Sequence, residues 1–158
     1  MIGTIFLYLY WPSFNAALAP DINKQRTVFN TALSISAACI GACAIARLIH
    51  MKLDMEIVLN ATIAGGVMIG ACADILVAPG SAIIIGAIAG VVSAIGFGYL
   101  SAALRESINL HDTCGVNNLH GMPGFLGGIC GAITAATASS AYTNPAATKI
   151  MFPEIAPV

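Results

Sequence analysis

The sequence predicts an all-α polytopic membrane protein, and three observations carry that reading. Of its 158 residues, 58% are hydrophobic and 8% are charged, whereas an ordinary soluble domain carries roughly 25% charged residues. The charges fall in short clusters separated by apolar stretches, several near the length of about 20 residues that a helix needs to cross a bilayer. Strand alternation is absent, so helices must satisfy the backbone polar groups in lipid. Six Lys plus Arg against seven Asp plus Glu give a net charge of -1. No basic surplus remains to neutralise phosphates, which excludes nucleic acid as a partner.

The gaps between charges place five spans. Residues 1–20 contain no Asp, Glu, Lys or Arg, and Asp21, Lys24 and Arg26 then cluster beside Pro20; this gives a first span over about 1–19 and a loop. Between Arg26 and Arg47 lie 20 uncharged residues, the second span, about 27–48. His50, Lys52, Asp54 and Glu56 form the next loop. The uncharged run from Ile57 to Ala73 gives a third span over about 57–77, ending near Asp74. Pro79 and Gly80 divide the following apolar stretch, which is too long for one ordinary span, so a fourth runs over about 81–104. After Arg105, Glu106, His111 and Asp112, no acidic or basic residue other than His120 appears before Lys149. The fifth span therefore covers about 113–140, and residues 1–141 form one membrane domain. The segment 142–158, with Pro145, Pro153 and Pro157, reads as an irregular tail.

The chain opens inside an apolar segment with no polar lead-in, which predicts a natural start upstream. No basic stretch precedes Ile2 and WPSFN is a poor cleavage site, so the opening does not read as a signal peptide. Arg47, Lys52 and Arg105 in two loops, against Lys24 and Arg26 in another, lean the 47–56 and 105–112 loops toward the cytoplasm. The Pro20 and Pro79 loops then lie outside.

Cys39, Cys43, Cys72, Cys114 and Cys130 fall within or at the ends of spans, where a thiol serves as a small apolar residue. No pair of cysteine pairs has zinc-site spacing, so no metal is expected. Gly66 with Gly70, Gly86 with Gly90, Gly124 with Gly128 and Gly127 with Gly131 repeat the GxxxG spacing that lets helix backbones approach closely. Packing within the chain is favoured over a dedicated dimer face. Asn60-Ala61-Thr62 matches a glycosylation triplet but sits inside a span, out of a transferase's reach.

An ionisable group inside a span is a functional hypothesis by default. His120, within LHGMPGFLGG, is the best case: Pro123 and nearby glycines loosen the helix where a cavity would need lining. Two readings stay open for it, a pore-lining imidazole and a histidine packed through one hydrogen bond. Asp74 reads as an interfacial cap or packing acid, Asp112 as a group placed for a helix N-terminus, and His50 as a solvated loop residue. Pro12 interrupts the first span, and a rigid aromatic beside such a break could gate a pore. For Trp11, Tyr8 and Tyr10 the plainer reading is an interfacial aromatic belt. No nucleophile and base pair, phosphate-binding loop or metal set is present, so catalysis is not expected and no cofactor is implied.

The segments MIGTIFLYLYWPSFN, NKQRTVFNTALSISA, MKLDMEIVLNATIAGGV and HDTCGVNNLHGMPGFLGGI, in this order and spacing, resemble the Rh glycoproteins of the ammonium transporter superfamily over about residues 1–140. That resemblance implies a fold of eleven or twelve membrane helices built as two inverted five-helix repeats, of which this chain resembles only the second. It implies homotrimers with one pore per subunit, a place in the plasma membrane, ammonia or ammonium as substrate, and carbon dioxide as a further candidate. Phe14 matches the aromatic of the outer gate, and His120 the second member of a mid-pore histidine pair, through the shared His-Gly-x-x-Gly pattern. Leu18 stands where bacterial relatives carry an ammonium-recruiting serine. Asn117, three residues before His120, can share its helix face and is the third candidate pore residue. The other histidine of the pair is expected from the first repeat. A nonconducting Rh-like scaffold, or a fragment without transport of its own, is the alternative function.

Overall fold

The computed structural model describes residues 1–51, 53–136 and Lys149. Its first helix, α1 (Ile2–Ala16), runs through Pro12. Proline cannot donate to the carbonyl one turn back, yet the helix persists, and the Ser13 hydroxyl donates to the Tyr10 carbonyl at 2.8 Å beside this break. A short 3-10 turn over Asp21–Asn23 leads into α2 (Lys24–His50), which ends at Met51 in a left-handed conformation with φ of 56°. Asp54 then starts α3 (Met55–Ile69) by accepting the backbone N–H groups of Glu56 at 3.0 Å and Ile57 at 3.4 Å, two of the donors that a helix start leaves unpaired.

The helix α3 stops at Ile69, short of the expected span end at 77, and residues 70–75 form consecutive turns. The cause lies on the neighbouring helix. The buried Asn30 amide donates to the Ala73 carbonyl at 2.8 Å and to the Leu76 carbonyl at 2.9 Å, satisfying groups that a broken helix would otherwise leave orphaned. Next comes α4 (Pro79–Ile95), with proline in its first turn, where no N–H is needed. It continues through a π-helical turn, Gly96–Leu100, into α5 (Ser101–Ile108). A second π-helical turn, Asn117–Gly121, opens α6 (Met122–Ala136). Three helical stretches, Asp21–Ile49, Pro79–Ile108 and Asn117–Ala136, are long and apolar enough to cross a membrane. At 15 residues, α3 is about 22 Å long. The expected tail 142–158 lies outside the described residues apart from Lys149, which is helical and exposed.

The central helix is α2, which packs against α1, α3 and α4. In lipid there is little hydrophobic drive between helices, so close backbone approach and interhelical hydrogen bonds must hold them. Both are present. A Cβ added at Gly86 or Gly90 of α4 would collide with the backbone of Ser34 or Ala38 of α2, and one at Gly65 of α3 would lie 2.6 Å from the Ser34 carbonyl oxygen. The Gly86 and Gly90 spacing thus serves packing within the chain, as does Gly127, whose Cβ would lie 2.6 Å from the Met68 carbonyl oxygen. By contrast, a Cβ at Gly128 meets nothing within 4 Å. A buried polar ridge, Thr27, Asn30, Thr31 and Ser34, follows one face of α2, as the helical repeat requires. Thr27 donates to the Asn23 carbonyl at 2.9 Å and Ser34 to the Gly65 carbonyl at 2.8 Å.

Candidate functional site

Three aromatic rings on two helices form the site's spine. On α1, Trp11 and Phe14 are one turn apart, with ring centroids 6.3 Å apart and planes at 69°. Trp11 also meets His120, centroids 6.1 Å apart and planes at 68°. Such edge-to-face pairs set the positive ring edge against a negative face. The indole is half-buried and seated on α3 because Gly66 has no side chain: a Cβ there would lie 2.8 Å from both Cδ1 and Nε1 of Trp11. Asn15 fixes the same stretch of α1 by donating its amide to the Gly66 carbonyl at 3.0 Å and to the Thr31 hydroxyl at 3.2 Å. Three helices therefore converge on one point.

His120 lies in the π-helical turn Asn117–Gly121. Pro123 cannot donate an N–H, and its ring crowds the carbonyl one turn back. The coil widens, and the Met122 N–H reaches back to the Asn117 carbonyl. Single π turns of this kind recur at functional sites. The turn is braced against the π turn of the preceding helix: the buried Asn118 amide donates to the Ser101 hydroxyl at 2.6 Å, and a Cβ at Gly96 would lie 2.7 Å from the Asn118 side-chain oxygen. Upstream, Asp112 accepts the N–H groups of Val116 and Asn117, both at 2.8 Å, the helix-start role expected of it. Gly115, at a positive φ of 64°, turns the chain there against the Phe97 ring.

The structure brings both His120 and Phe14 against Trp11 but keeps Asn117 apart. Its side chain donates to the Asn118 side-chain oxygen at 3.3 Å and lies beside Gly121, and no hydrogen bond or ring contact joins it to Trp11, Phe14 or His120 among the described residues. Sequence reasoning missed Trp11. Read as part of an interfacial belt, it instead packs between helices; its three-residue spacing from Phe14 and the small Gly66 were the available signals. Both flanking rings are open: Phe14 is 74% exposed, and His120 is exposed. Below Phe14, a cleft of about 410 Å³ is lined by Phe14, Asn15, Leu18, Thr27, Gly70 and Asp74, among others. An apolar groove of about 260 Å³ runs beside it, lined by Leu7, Tyr10, Trp11 and Phe14. Among the described residues, no three His, Cys, Asp or Glu side chains gather as a metal site.

Residues 1–152 match the model of the Ammonium Transporter Family. Ammonium transporter Rh type C of Homo sapiens is 48% identical over 142 residues, covering 88% of this chain and 30% of that protein. Ammonium transporter Rh type A of Bos taurus is 47% identical over 147 residues, covering 91% of this chain and 34% of that protein. The chain thus spans about a third of the length of these relatives. Among solved structures, Nitrosomonas europaea Rh50, of the Rhesus protein family of channels, superposes with a TM-score of 0.81 at 33% identity, covering 94% of this chain and 38% of that one. A sensor Amt protein superposes with a TM-score of 0.73 at 24% identity, covering 92% of this chain and 33% of that one; at that identity the likeness speaks to the fold alone.

Proposed function

The chain belongs to the ammonium transporter and Rh glycoprotein family, a family of transporters rather than enzymes, and from that premise we propose that it supplies one wall of a channel conducting ammonia. Five spans, about 1–19, 27–48, 57–77, 81–104 and 113–140, make up this wall as the second inverted repeat of the complete fold. The observation that carries the proposal is the ring array Phe14, Trp11 and His120, whose two ends are open. The His120 imidazole rests against Trp11 yet stays exposed beside apolar residues, as a group that faces a lumen would.

The chemistry follows from the cost of taking an ion out of water. Moving a bare ammonium into an apolar lumen costs on the order of tens of kcal/mol if nothing compensates. Deprotonation at the mouth, with the proton released to the water there, removes that cost. The Phe14 face attracts the cation at the mouth, and neutral ammonia then passes the apolar stretch beside Trp11 to hydrogen-bond the His120 imidazole. A partner histidine from the first repeat receives it next. Carbon dioxide, small and neutral, is a second candidate for the same lumen. In this reading the complete protein is a homotrimer in the plasma membrane, with the Pro20 and Pro79 loops outside.

The test is a chimera in which this chain replaces the matching segment of the human Rh type C relative, reconstituted in vesicles. Ammonia-driven alkalinisation of the lumen should be fast in the chimera and fall about tenfold or more with His120→Ala. A chimera no faster than empty vesicles overturns the proposal.

A further inference from the structure

We propose that Asn118, through its bond to Ser101, is the positioning residue for His120: it keeps the π turn wound and so holds the imidazole at Trp11. The consequence for conduction rests on the transport reading above. The His120 ring touches Trp11 but makes no hydrogen bond among the described residues, so the backbone turn that carries it decides where it points. That turn is π-wound, with the Met122 N–H reaching the Asn117 carbonyl, a conformation rarer than the α-helix it interrupts. Asn118 is fully buried inside it. Its amide donates to the Ser101 hydroxyl at 2.6 Å, and its side-chain oxygen accepts from the Asn117 amide at 3.3 Å. Both ends of a buried polar side chain are thus engaged, and freeing either costs more than an exposed bond would.

The clamp joins two π turns. Ser101 closes the π turn Gly96–Leu100, its N–H bonded to the Gly96 carbonyl, and Gly96 leaves room for Asn118, since a Cβ there would lie 2.7 Å from the Asn118 side-chain oxygen. Beyond the His120 turn, α6 is fixed on α3 and the turns that follow it: a Cβ at Gly127 would lie 2.6 Å from the Met68 carbonyl oxygen, and one at Gly131 would lie 3.1 Å from that of Ala71. If the π turn relaxed to α, α6 could not rotate, so the residues ahead of Met122 would have to. Dropping one residue from the coil turns them by about 100° and slides them about 1.5 Å along the axis. His120 would then leave the Trp11 ring. The Asn118–Ser101 bond opposes that slip because Ser101 belongs to a different helix and does not turn with the coil.

The test uses the purified chain in nanodiscs, labelled with nitrogen-15 tryptophan. Trp11 is the single tryptophan, so one indole N–H signal reports its surroundings. His120→Ala removes the neighbouring ring and defines how far that signal moves when the contact is lost. Ser101→Ala, which deletes the acceptor at a partly exposed position, should move the signal by more than half as much, and Ser101→Thr, which keeps the hydroxyl, should return it. Added to His120→Ala, the Ser101→Ala change should move it no further. An unmoved signal in Ser101→Ala would overturn the inference, as would an equal movement with and without His120, the mark of general loosening, or a Ser101→Thr signal that stays with Ser101→Ala. Should Ser101→Ala not fold, Gly96→Ala presses on the Asn118 oxygen from the other side and is judged by the same comparison. The signal is read without transport: a chimera no faster than empty vesicles refutes the transport reading and leaves the indole result standing, whereas an indole signal indifferent to Ser101 refutes the positioning role whatever the chimera conducts. In a conducting chimera Ser101→Ala should lower conduction several-fold, and undiminished conduction would overturn the turn's part in transport.

Discussion

Replacing Gly66 with Ala tests whether the site is assembled as described. The new Cβ would lie 2.8 Å from Cδ1 and Nε1 of Trp11 and 3.0 Å from Cγ, where ordinary contact begins at 3.4 Å. The indole must therefore retreat by about 0.6 Å or rotate, because the backbone of α3 is held by the Ser34 hydroxyl at Gly65 and by the Asn15 amide at Gly66 itself. Overfilling a well-packed site costs about 1–3 kcal/mol. The open sides of Phe14 and His120 let the ring yield, which places the expected loss near 1 kcal/mol. Trp11 is the single tryptophan of the chain, so its fluorescence reads the displacement without interference. Gly66→Ala should raise acrylamide quenching of Trp11 and change its emission intensity, as the contact with the His120 ring loosens. Removing that ring with His120→Ala should change the intensity in the wild type and do so less in Gly66→Ala. Emission, quenching and thermal stability all unchanged in Gly66→Ala would refute the seat of Trp11 on α3.

Other substitutions probe the scaffold. Gly86→Ala directs a methyl into the Ser34 backbone, which cannot move aside, and should cost about 2–3 kcal/mol, whereas Gly128→Ala meets nothing within 4 Å and should be neutral; thermal unfolding in detergent compares them. Asn30→Leu strands the Ala73 and Leu76 carbonyls, at about 1–3 kcal/mol for each buried group left unpaired, and hydrogen exchange should rise across residues 70–76 before the rest of the chain. Asp112→Ala removes two bonds to the start of the last helix and should cost about 1 kcal/mol, seen as faster exchange at Val116 and Asn117.

Charge spacing made the helical layout legible, because a lipid-crossing helix excludes charge over its length and loops collect it. The ends of helices were less legible where neighbours set them. Nothing local to Gly70–Leu76 announces that α3 breaks; the reason sits 40 or more residues away in Asn30. The polar ridge Thr27, Asn30, Thr31 and Ser34 was visible at helical spacing, but a reading that scores only charge treats those residues as bland. Asp112 was legible as a helix-start group because its acceptor chemistry suits free N–H groups. At the site, His120 stood out as an ionisable group among apolar neighbours and Phe14 through its resemblance. The edge-to-face link between them through Trp11 depends on how α1, α3 and the last helix meet, a tertiary fact that no local pattern encodes. The π turn around His120 is similar: Pro123 hints at a distortion, but its bracing comes from Ser101 and Gly96 on another helix.

The most direct measurement is stopped-flow ammonia conduction in vesicles carrying the chimera with the human Rh type C relative, comparing the unaltered chain with His120→Ala at equal protein density. Conduction well above empty vesicles, lost about tenfold or more with His120→Ala, is the predicted result. Equal conduction by the two proteins would contradict the role given to His120, and conduction no faster than empty vesicles would remove the channel reading altogether.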